Sequence, residues 1–333
     1  MRSEQFPQIP GISIVVPTFQ RPVHLKRLLD ALIEQTVIAD IFEIIVVDNE
    51  INSNTEVQAL CASREYQALD LNYFHHPNTG VSSARNLGVS QARASLIGFL
   101  DDDTLPSKDW IRLVFATQDK MQAGIIGGPY KPFYTSTPPK WFRDSYASLD
   151  YGEQARWLGR HEYLACANMA CNRGFFQQLG GFSEGFGYIG TKKRYGEDTE
   201  WQQRAVLAGH RIWYDPALRI QHHVEAERMP VGWMLASMVR HGRVKASLLI
   251  IEPGILDQRP VFRQVLTLLK KYLLGLFRLC KAGLLVLFRN KQQYPYLQNY
   301  LVEVVGREIR QISLCSGLIR LTLKPGIRGQ GNP

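Results

Sequence analysis

Three consecutive carboxylates, Asp101, Asp102 and Asp103, follow the apolar run ASLIGFL that ends at Leu100. Neighbouring like charges repel, so such a cluster at a strand end calls for a ligand or for counter-charges. Hard, anionic oxygens suit Mg²⁺ or Mn²⁺, and Mg²⁺ takes one or two protein carboxylates and leaves its other positions to phosphate oxygens and water. At such a strand tip Asp101 and Asp103 are expected to divide between an ion and a sugar hydroxyl. The plainer role is a solvated turn with Asp103 or Thr104 capping the next helix.

Four more places could do chemistry. VVDNE sets Asp48 and Asn49 at another strand end, where a carboxylate and an amide can read a nucleobase edge or ribose hydroxyls, or simply form an Asx turn. NTGVSSARNLG puts Gly80 and a serine pair before a helix, with Arg85 and Asn86 in its first turns. Helix N-termini and arginine suit a pyrophosphate, while Ser82 or Ser83 serves as the cap. GEDTEW opens a helix with Glu197 and Asp198, either dipole-favoured acids or a general base for an attacking hydroxyl. IQHHV offers His222 and His223, one of which alternation turns inward, as a metal ligand or an ordinary core residue.

The elements that must position these groups are legible as a pattern. ISIVV, FEIIVVD, LNYFH, ASLIGFL and GIIGG are short apolar or β-branched runs that read as strands. Helical stretches separate them: HLKRLLDALIEQ, a polar segment, SSARNLGVSQA and KDWIRLVFATQD. The alternation predicts an α/β fold with a mainly parallel sheet covered on both faces, whose ligands sit at the carboxyl ends of the strands. EDTEWQQRAVLAG predicts a helix with Trp201, Ala205 and Ala208 on one side and Gly209 as its stop, and HRIWYDPALRIQHH one or two further strands. Tyr130 to Arg194, rich in aromatics and glycine, reads as long loops around a site.

In this order, SIVVPTFQRP, EIIVVDNE, NTGVSSARNLG, IGFLDDDTLP, ANMACNR, GGFSEGF, GEDTEW and HHVEAER resemble the family 2 glycosyltransferases, over about Ile12 to Arg228. The resemblance implies a GT-A fold and a nucleotide-sugar-dependent enzyme that inverts the anomeric centre. By that carry-over Pro17, Thr18 and Asp48 line a nucleoside pocket with Arg21 nearby. Asp101 and Asp103 match the metal-and-sugar carboxylates, Asp103 as the direct ligand, and His222 matches a position where some members add a metal or diphosphate contact. Asp198 matches the catalytic base and Glu197 its supporting neighbour. Asn49, Gly80, Arg85, Asn86 and Asp102 complete the expected donor set. Two departures bear on specificity: Asp48-Asn49-Glu50 stands where many relatives have Asp-Asp, which leaves UDP, GDP and dTDP open, and the QxxRW of processive synthases is missing. One sugar per reaction is therefore expected, with a glycan or lipid-linked acceptor in surface polysaccharide synthesis. Aromatic faces at FYTSTPPKWF and Trp157 would meet that acceptor or fill loop core.

The predicted division is 1–228 for the transferase domain and 229–333 for a basic helical extension. The chain has 333 residues, 45% of them hydrophobic, and a formal charge of +9. Within Val261 to Arg289 the polar and cationic positions Arg263, Thr267, Lys270, Arg278, Lys281 and Arg289 form one narrow stripe, with Lys271 at its edge. Arg278 and Lys281 break the longest apolar run, so the segment reads as an amphipathic helix on an anionic leaflet, or as a helix packed on the rest of the protein. Five cysteines without a CxxC pair, and a polar start without an apolar run, predict a cytoplasmic protein, peripheral on the membrane. A sugar nucleotidyltransferase would want a glycine-rich loop after the first strand, which VVPTFQRP lacks. A non-catalytic sugar- or nucleotide-binding module remains the other alternative. Nucleic acid is not expected as a partner, since no recognition helix, RRM or zinc-finger pattern occurs.

Overall fold

A computed structural model describes residues 10–37, 39–52, 55–77, 80–184, 196–251 and 261–323. Residues 1–9, Asn78 and Thr79 of the NTG motif, and the end of GGFSEGF with the expected site loops up to Tyr195 lie outside the described residues. The chain divides into two compact units, one of 1–133 with Asp144–His223, the other of Tyr134–Arg143 with Val224–Pro333.

The first unit is built on β1 (Ile12–Thr18), β2 (Phe42–Asp48), β3 (Asp70–His75) and β4 (Leu96–Leu100), with β5 (Thr104–Pro106), β6 (Ile125–Gly127) and β7 (Tyr130–Phe133). β8 (Arg156–Trp157), β9 (Asn168–Asn172), β10 (Ile212–Tyr214) and β11 (Ile220–His223) complete its strands. Its helices are α1 (Pro22–Ile33), α2 (Thr55–Cys61), α3 (Val81–Gln91), α4 (Trp110–Met121), α5 (Arg173–Gln178) and α6 (Glu197–Leu207). Eight strands form one sheet in the order β3-β2-β1-β4-β9-β6-β10-β8, and β5-β11-β7 form a small second sheet. β1, β2, β3 and β4 run parallel, whereas β9 pairs antiparallel with both β4 and β6.

Every residue of β1 and β2 is buried, as expected of strands covered on both faces. Ile12, Ile14 and Val16 pack with Leu25, Leu28, Leu29 and Leu32 of α1 and with Trp110 and Val114 of α4. Val15 faces the other way, with Ala84 and Val89 of α3 and with Phe176 and Trp201 of α5 and α6. α3 lies close enough to the sheet that a Cβ on Gly88 would run into the Val15 side chain.

Three helix ends differ from the sequence expectation. Gly80, not Ser82 or Ser83, is the N-cap of α3; both serines are buried in its first turn, and Ser83 Oγ lies 2.6 Å from His76 Nε2. Neither Asp103 nor Thr104 caps a helix, because α4 starts only at Trp110. In α6, Trp201 and Ala205 are buried, but Ala208 is the exposed C-cap and Gly209 turns the chain out with a φ of 89°.

The second unit contains α7 (Val231–Ile251), α8 (Val261–Leu284), α9 (Leu297–Tyr300), a π-helical turn (Leu301–Val305) and α10 (Gly306–Thr322). α10 packs on α7 and α8; Gly242 lies against the Arg310 carbonyl and Ser313, and Gly275 against Ile312. The Tyr134–Arg143 segment is tied into this unit by the Arg143–Glu303 ion pair at 2.6 Å and by the Asn299 amide donating to the Trp141 carbonyl at 2.6 Å. Its rings touch one another, Phe142 edge-on to Tyr134 at 6.2 Å and to Trp141 at 5.7 Å.

Candidate functional site

Register sets the site. Thr18 and Asp48 stand opposite each other at the carboxyl ends of β1 and β2, and Val15 pairs with Phe99 in β4. Because β1 lies between β2 and β4, the ends carrying Thr18, Asp48 and the three aspartates share one edge of the sheet.

The triplet does not continue β4 as an extended tip. The Asp101 carbonyl accepts from the Thr104 N–H at 3.1 Å and from its hydroxyl at 2.7 Å, closing a tight turn. Asp101 and Asp103, two residues apart, fall on one side and converge, and Asp102 is turned the other way, toward Thr18. Ligand atoms of Asp101, Asp103 and His222 all lie within 4.8 Å of one another, which corrects the expectation that the two aspartates diverge. β11 delivers the histidine, since the His223 N–H donates to the Asp103 carbonyl at 2.8 Å and His222 Nε2 sits 2.9 Å from Asp103 Oδ1.

Two arginines balance the acids. Arg21 donates to Asp103 Oδ2 at 2.9 Å and reaches Asp102 Oδ1 at 3.5 Å. Asp102 also accepts from the Thr18 hydroxyl at 2.8 Å. Burial first, and then the charge of Asp103, push the Asp102 carboxyl up to about 7. Arg85 on α3 is only 3% exposed and bridges two carboxylates, Asp101 Oδ1 at 2.6 Å and Glu197 Oε1 at 2.8 Å. Glu197 occupies the first turn of α6, and burial, then the neighbouring Asp198, raise its carboxyl against the opposing pull of Arg85. Asp198 is half-buried; its oxygens accept from the Thr199 N–H at 2.7 Å and the Cys166 N–H at 3.2 Å.

The Asp48 end is equally well held. Asp48 is fully buried, with Tyr73 donating to Oδ2 at 3.1 Å and the Glu50 N–H to Oδ1 at 3.2 Å. The Asn49 N–H donates across to the Thr18 carbonyl at 3.1 Å. Pro17 is buried in β1, and Gly80 precedes α3. Asn86 stands apart from the group: its amide makes a two-way clamp with the Phe182 backbone, at 2.8 and 2.9 Å. The Trp157 ring packs on Trp213 at 5.0 Å and under Arg211 at 4.4 Å in the edge strand pair.

Sequence reasoning did not single out three contributors. The Cys166 amide orients Asp198 through the backbone, which no side-chain pattern announces. Tyr130 lies edge-on to His222 at 5.3 Å, and burial, then Asp198, push its phenol up to about 12. Asn168 is fully buried, accepts from Trp110 Nε1 at 2.8 Å and donates to the Pro129 and Leu218 carbonyls at 3.0 and 2.6 Å. It joins α4, β9 and the loops before β7 and β11; its place within ANMACNR was the available signal.

A donor set of two carboxylate oxygens and one imidazole nitrogen suits Mg²⁺ or Mn²⁺.

A family model described as Glycosyl transferase family 2 matches residues 13–180. The chain is 28% identical over 240 residues to the succinoglycan biosynthesis protein ExoM of Rhizobium meliloti (strain 1021), covering 72% of this chain and 75% of that protein. It is 22% identical over 266 residues to glycosyltransferase AglE of Haloferax volcanii, covering 80% and 82%. Among solved structures, S. aureus TarS 1–349 in complex with UDP-GlcNAc superposes with a TM-score of 0.51 at 16% identity, over 92% of this chain and 90% of that one. At that identity the likeness bears on the fold alone.

Proposed function

The chain belongs to glycosyl transferase family 2 and has the GT-A fold, and on that premise we propose that it transfers a single sugar from a nucleoside-diphosphate donor to a hydroxyl acceptor, with inversion. The observation that carries the proposal is the convergence of Asp101, Asp103 and His222 within 4.8 Å, joined through Arg85 to Glu197 beside Asp198. Asp101, Asp103 and His222 would hold a divalent cation. When bound, Mg²⁺ or Mn²⁺ offsets the charge that builds on the departing diphosphate.

The chain's own groups divide the remaining work. Pro17, Thr18, Asp48 and Asn49 line the nucleoside end, with Arg21 and Asp102 between it and the metal ligands. Gly80 and the start of α3 face the diphosphate, and Arg85 fixes Asp101. Asp198 takes the proton from the acceptor hydroxyl, assisted by backbone donors that hold its carboxylate in place. The proton moves late in the reaction, when the attacking oxygen has become acidic. A single displacement needs one such base and no nucleophile, unlike the paired carboxylates of retaining glycosidases.

UDP is the first donor nucleotide to test, since TarS is described in complex with UDP and with UDP-GlcNAc. The acceptor is a glycan or lipid-linked sugar in surface polysaccharide synthesis, in keeping with the name of ExoM. Such an acceptor places the enzyme at the cytoplasmic face of the membrane, in peripheral contact. Calorimetric titration of UDP, GDP and dTDP, with Mn²⁺ or with EDTA, into wild type and Asp103→Asn tests the reading. Metal-dependent binding of one nucleotide, abolished by the substitution, supports it; equal binding by both proteins in EDTA refutes the metal role.

A further inference from the structure

The second unit carries a surface that the transfer reaction does not use. α8 divides lengthwise into three sectors, as a helix of about 3.6 residues per turn allows. Val265, Leu268, Tyr272, Gly275 and Leu279 alternate by three and four residues and are the shielded positions, with Gly275 against Ile312 of α10. Phe262, Leu266, Leu269, Leu273, Phe277 and Leu284 lie on a second sector and are left in solvent, at 75% for Phe262, 66% for Phe277 and 78% for Leu284. The exposed run continues through Leu287 and Phe288, at 80% and 82%. Arg263, Lys270, Arg278 and Lys281 occupy the third sector, alongside this row.

A contiguous apolar row of this size is not left in water without an occupant. The charges beside it identify the occupant. From Gln258 to Val302 the sequence has no acidic residue. None of Arg263, Lys270, Lys271, Arg278, Lys281, Arg289 and Lys291 forms an ion pair among the described residues. A second copy docking through the same face would bring more cations and no carboxylate. No helix among the described residues is long and apolar enough to cross a membrane. An anionic leaflet supplies both missing parts, acyl chains for the row and phosphates for the flanking cations.

Resting on the peripheral placement proposed above, we infer that α8 is an interfacial anchor lying in the plane of an anionic bilayer. Phe262, Leu273, Phe277 and Leu284 enter the acyl boundary, and Lys270, Arg278 and Lys281 sit among the headgroup phosphates.

Flotation of the full chain with vesicles of phosphatidylcholine alone, or of equal parts phosphatidylcholine and phosphatidylglycerol, tests this. Wild type should float with the anionic vesicles and not with the neutral ones. Arg278→Gln with Lys281→Gln should weaken binding by about fivefold per charge, roughly 25-fold together. Leu273→Gln, Phe277→Gln and Leu284→Gln combined should abolish it, each change counting for about tenfold or more. Near-ultraviolet circular dichroism and UDP titration of each variant show whether the fold and the donor site are intact. Undiminished flotation of the triple variant overturns the α8 assignment while leaving peripheral placement standing. A wild type that floats with neither vesicle overturns both, and does so in favour of self-association if sedimentation shows a dimer that the triple variant dissolves.

Discussion

Replacing Arg85 with methionine removes the one guanidinium that holds Asp101 and Glu197 together, at 2.6 and 2.8 Å. Asp101 retains 27% of its side-chain exposure and can turn to water, but Glu197 is only 9% exposed. Without its partner, a buried carboxylate goes neutral rather than remain an uncompensated charge. Protonating a group of ordinary pKa about 4.3 at about pH 7.5 costs about 4.4 kcal/mol, within the range of about 3–5 kcal/mol for removing one member of a buried ion pair. At about pH 5.5 the same protonation costs about 1.6 kcal/mol, so the destabilisation should shrink by about 2.7 kcal/mol. The sign follows from the direction of the shift. Glu197 has a carboxyl raised by burial and by Asp198, with Arg85 opposing. A raised carboxyl binds its proton more tightly folded than unfolded, so this stability is complete below the ordinary carboxylate pKa and is lost as pH rises through the folded value. Arg85→Met strengthens that dependence. Urea unfolding of wild type and variant, followed by tryptophan fluorescence at both pH values, reads it out. Equal destabilisation at the two values, or a variant as stable as wild type at the higher one, refutes the argument. Arg85→Lys should fall between, because one ammonium cannot span both carboxylates as a guanidinium does.

Further outcomes are expected elsewhere. Asn168→Ala strands Trp110 Nε1 and takes a donor from the Leu218 carbonyl, while the Pro129 carbonyl keeps the Ile220 N–H, and urea unfolding should show a loss of about 2–5 kcal/mol, at about 1–3 kcal/mol per stranded group. Gly88→Val should destabilise by about 1–3 kcal/mol in the same assay, because its side chain meets Val15 under α3. Among the five free cysteines only Cys280 is exposed, and burial pushes the Cys61 thiol up to about 12. Iodoacetamide on the native protein should therefore leave one adduct, at Cys280, with all five appearing in denaturant by mass spectrometry. Asp198→Asn should leave nucleotide binding by calorimetry within about twofold while lowering sugar transfer by about 10²–10⁴-fold, as loss of a general base does.

The sequence made strand and helix alternation legible because each buried strand is a run of apolar residues and each surface helix shows its own period. It did not show that β1 lies between β2 and β4, since strand order depends on how helices such as α1 and α3 cross the sheet. That order is what brings Thr18, Asp48 and Asp101 to one edge. Asp101 and Asp103 converge where the sequence reading divides them, because residues two apart share a face and the Thr104 N–H and hydroxyl close the triplet into a turn. The serines before α3 looked like caps, yet Gly80 takes that position and Ser83 turns to His76 instead. Asn86 looked like a donor contact because it follows Arg85, but the helix points the two in different directions, one to the acids and the other to Phe182. Trp157, read from the sequence as either an acceptor face or loop core, pairs with Trp213 across two short strands, a contact no local pattern announces.

The charges around the turn also bear on how a donor would enter. Asp101, Asp102, Asp103, Glu197 and Asp198 form one connected group, and among the described residues Arg21 and Arg85 are the arginines that touch it. Protonation of Asp102, whose carboxyl burial and Asp103 push up to about 7, eases the imbalance without removing it. A nucleoside diphosphate adds negative charge to an edge where the described residues already carry an excess, which is unfavourable in a partly buried site. Both Arg21 and Arg85 are engaged with carboxylates, so drawing either toward a phosphate leaves an aspartate uncompensated. Cation and nucleotide binding should therefore be strongly and reciprocally coupled: Mn²⁺ raises nucleotide affinity, and the nucleotide raises Mn²⁺ affinity by the same factor. Neutralising one ligand by Asp103→Asn shrinks that factor from both sides. A coupling equal to one, with tight nucleotide binding in EDTA, would mean that the two arginines suffice and that the three aspartates serve the turn alone.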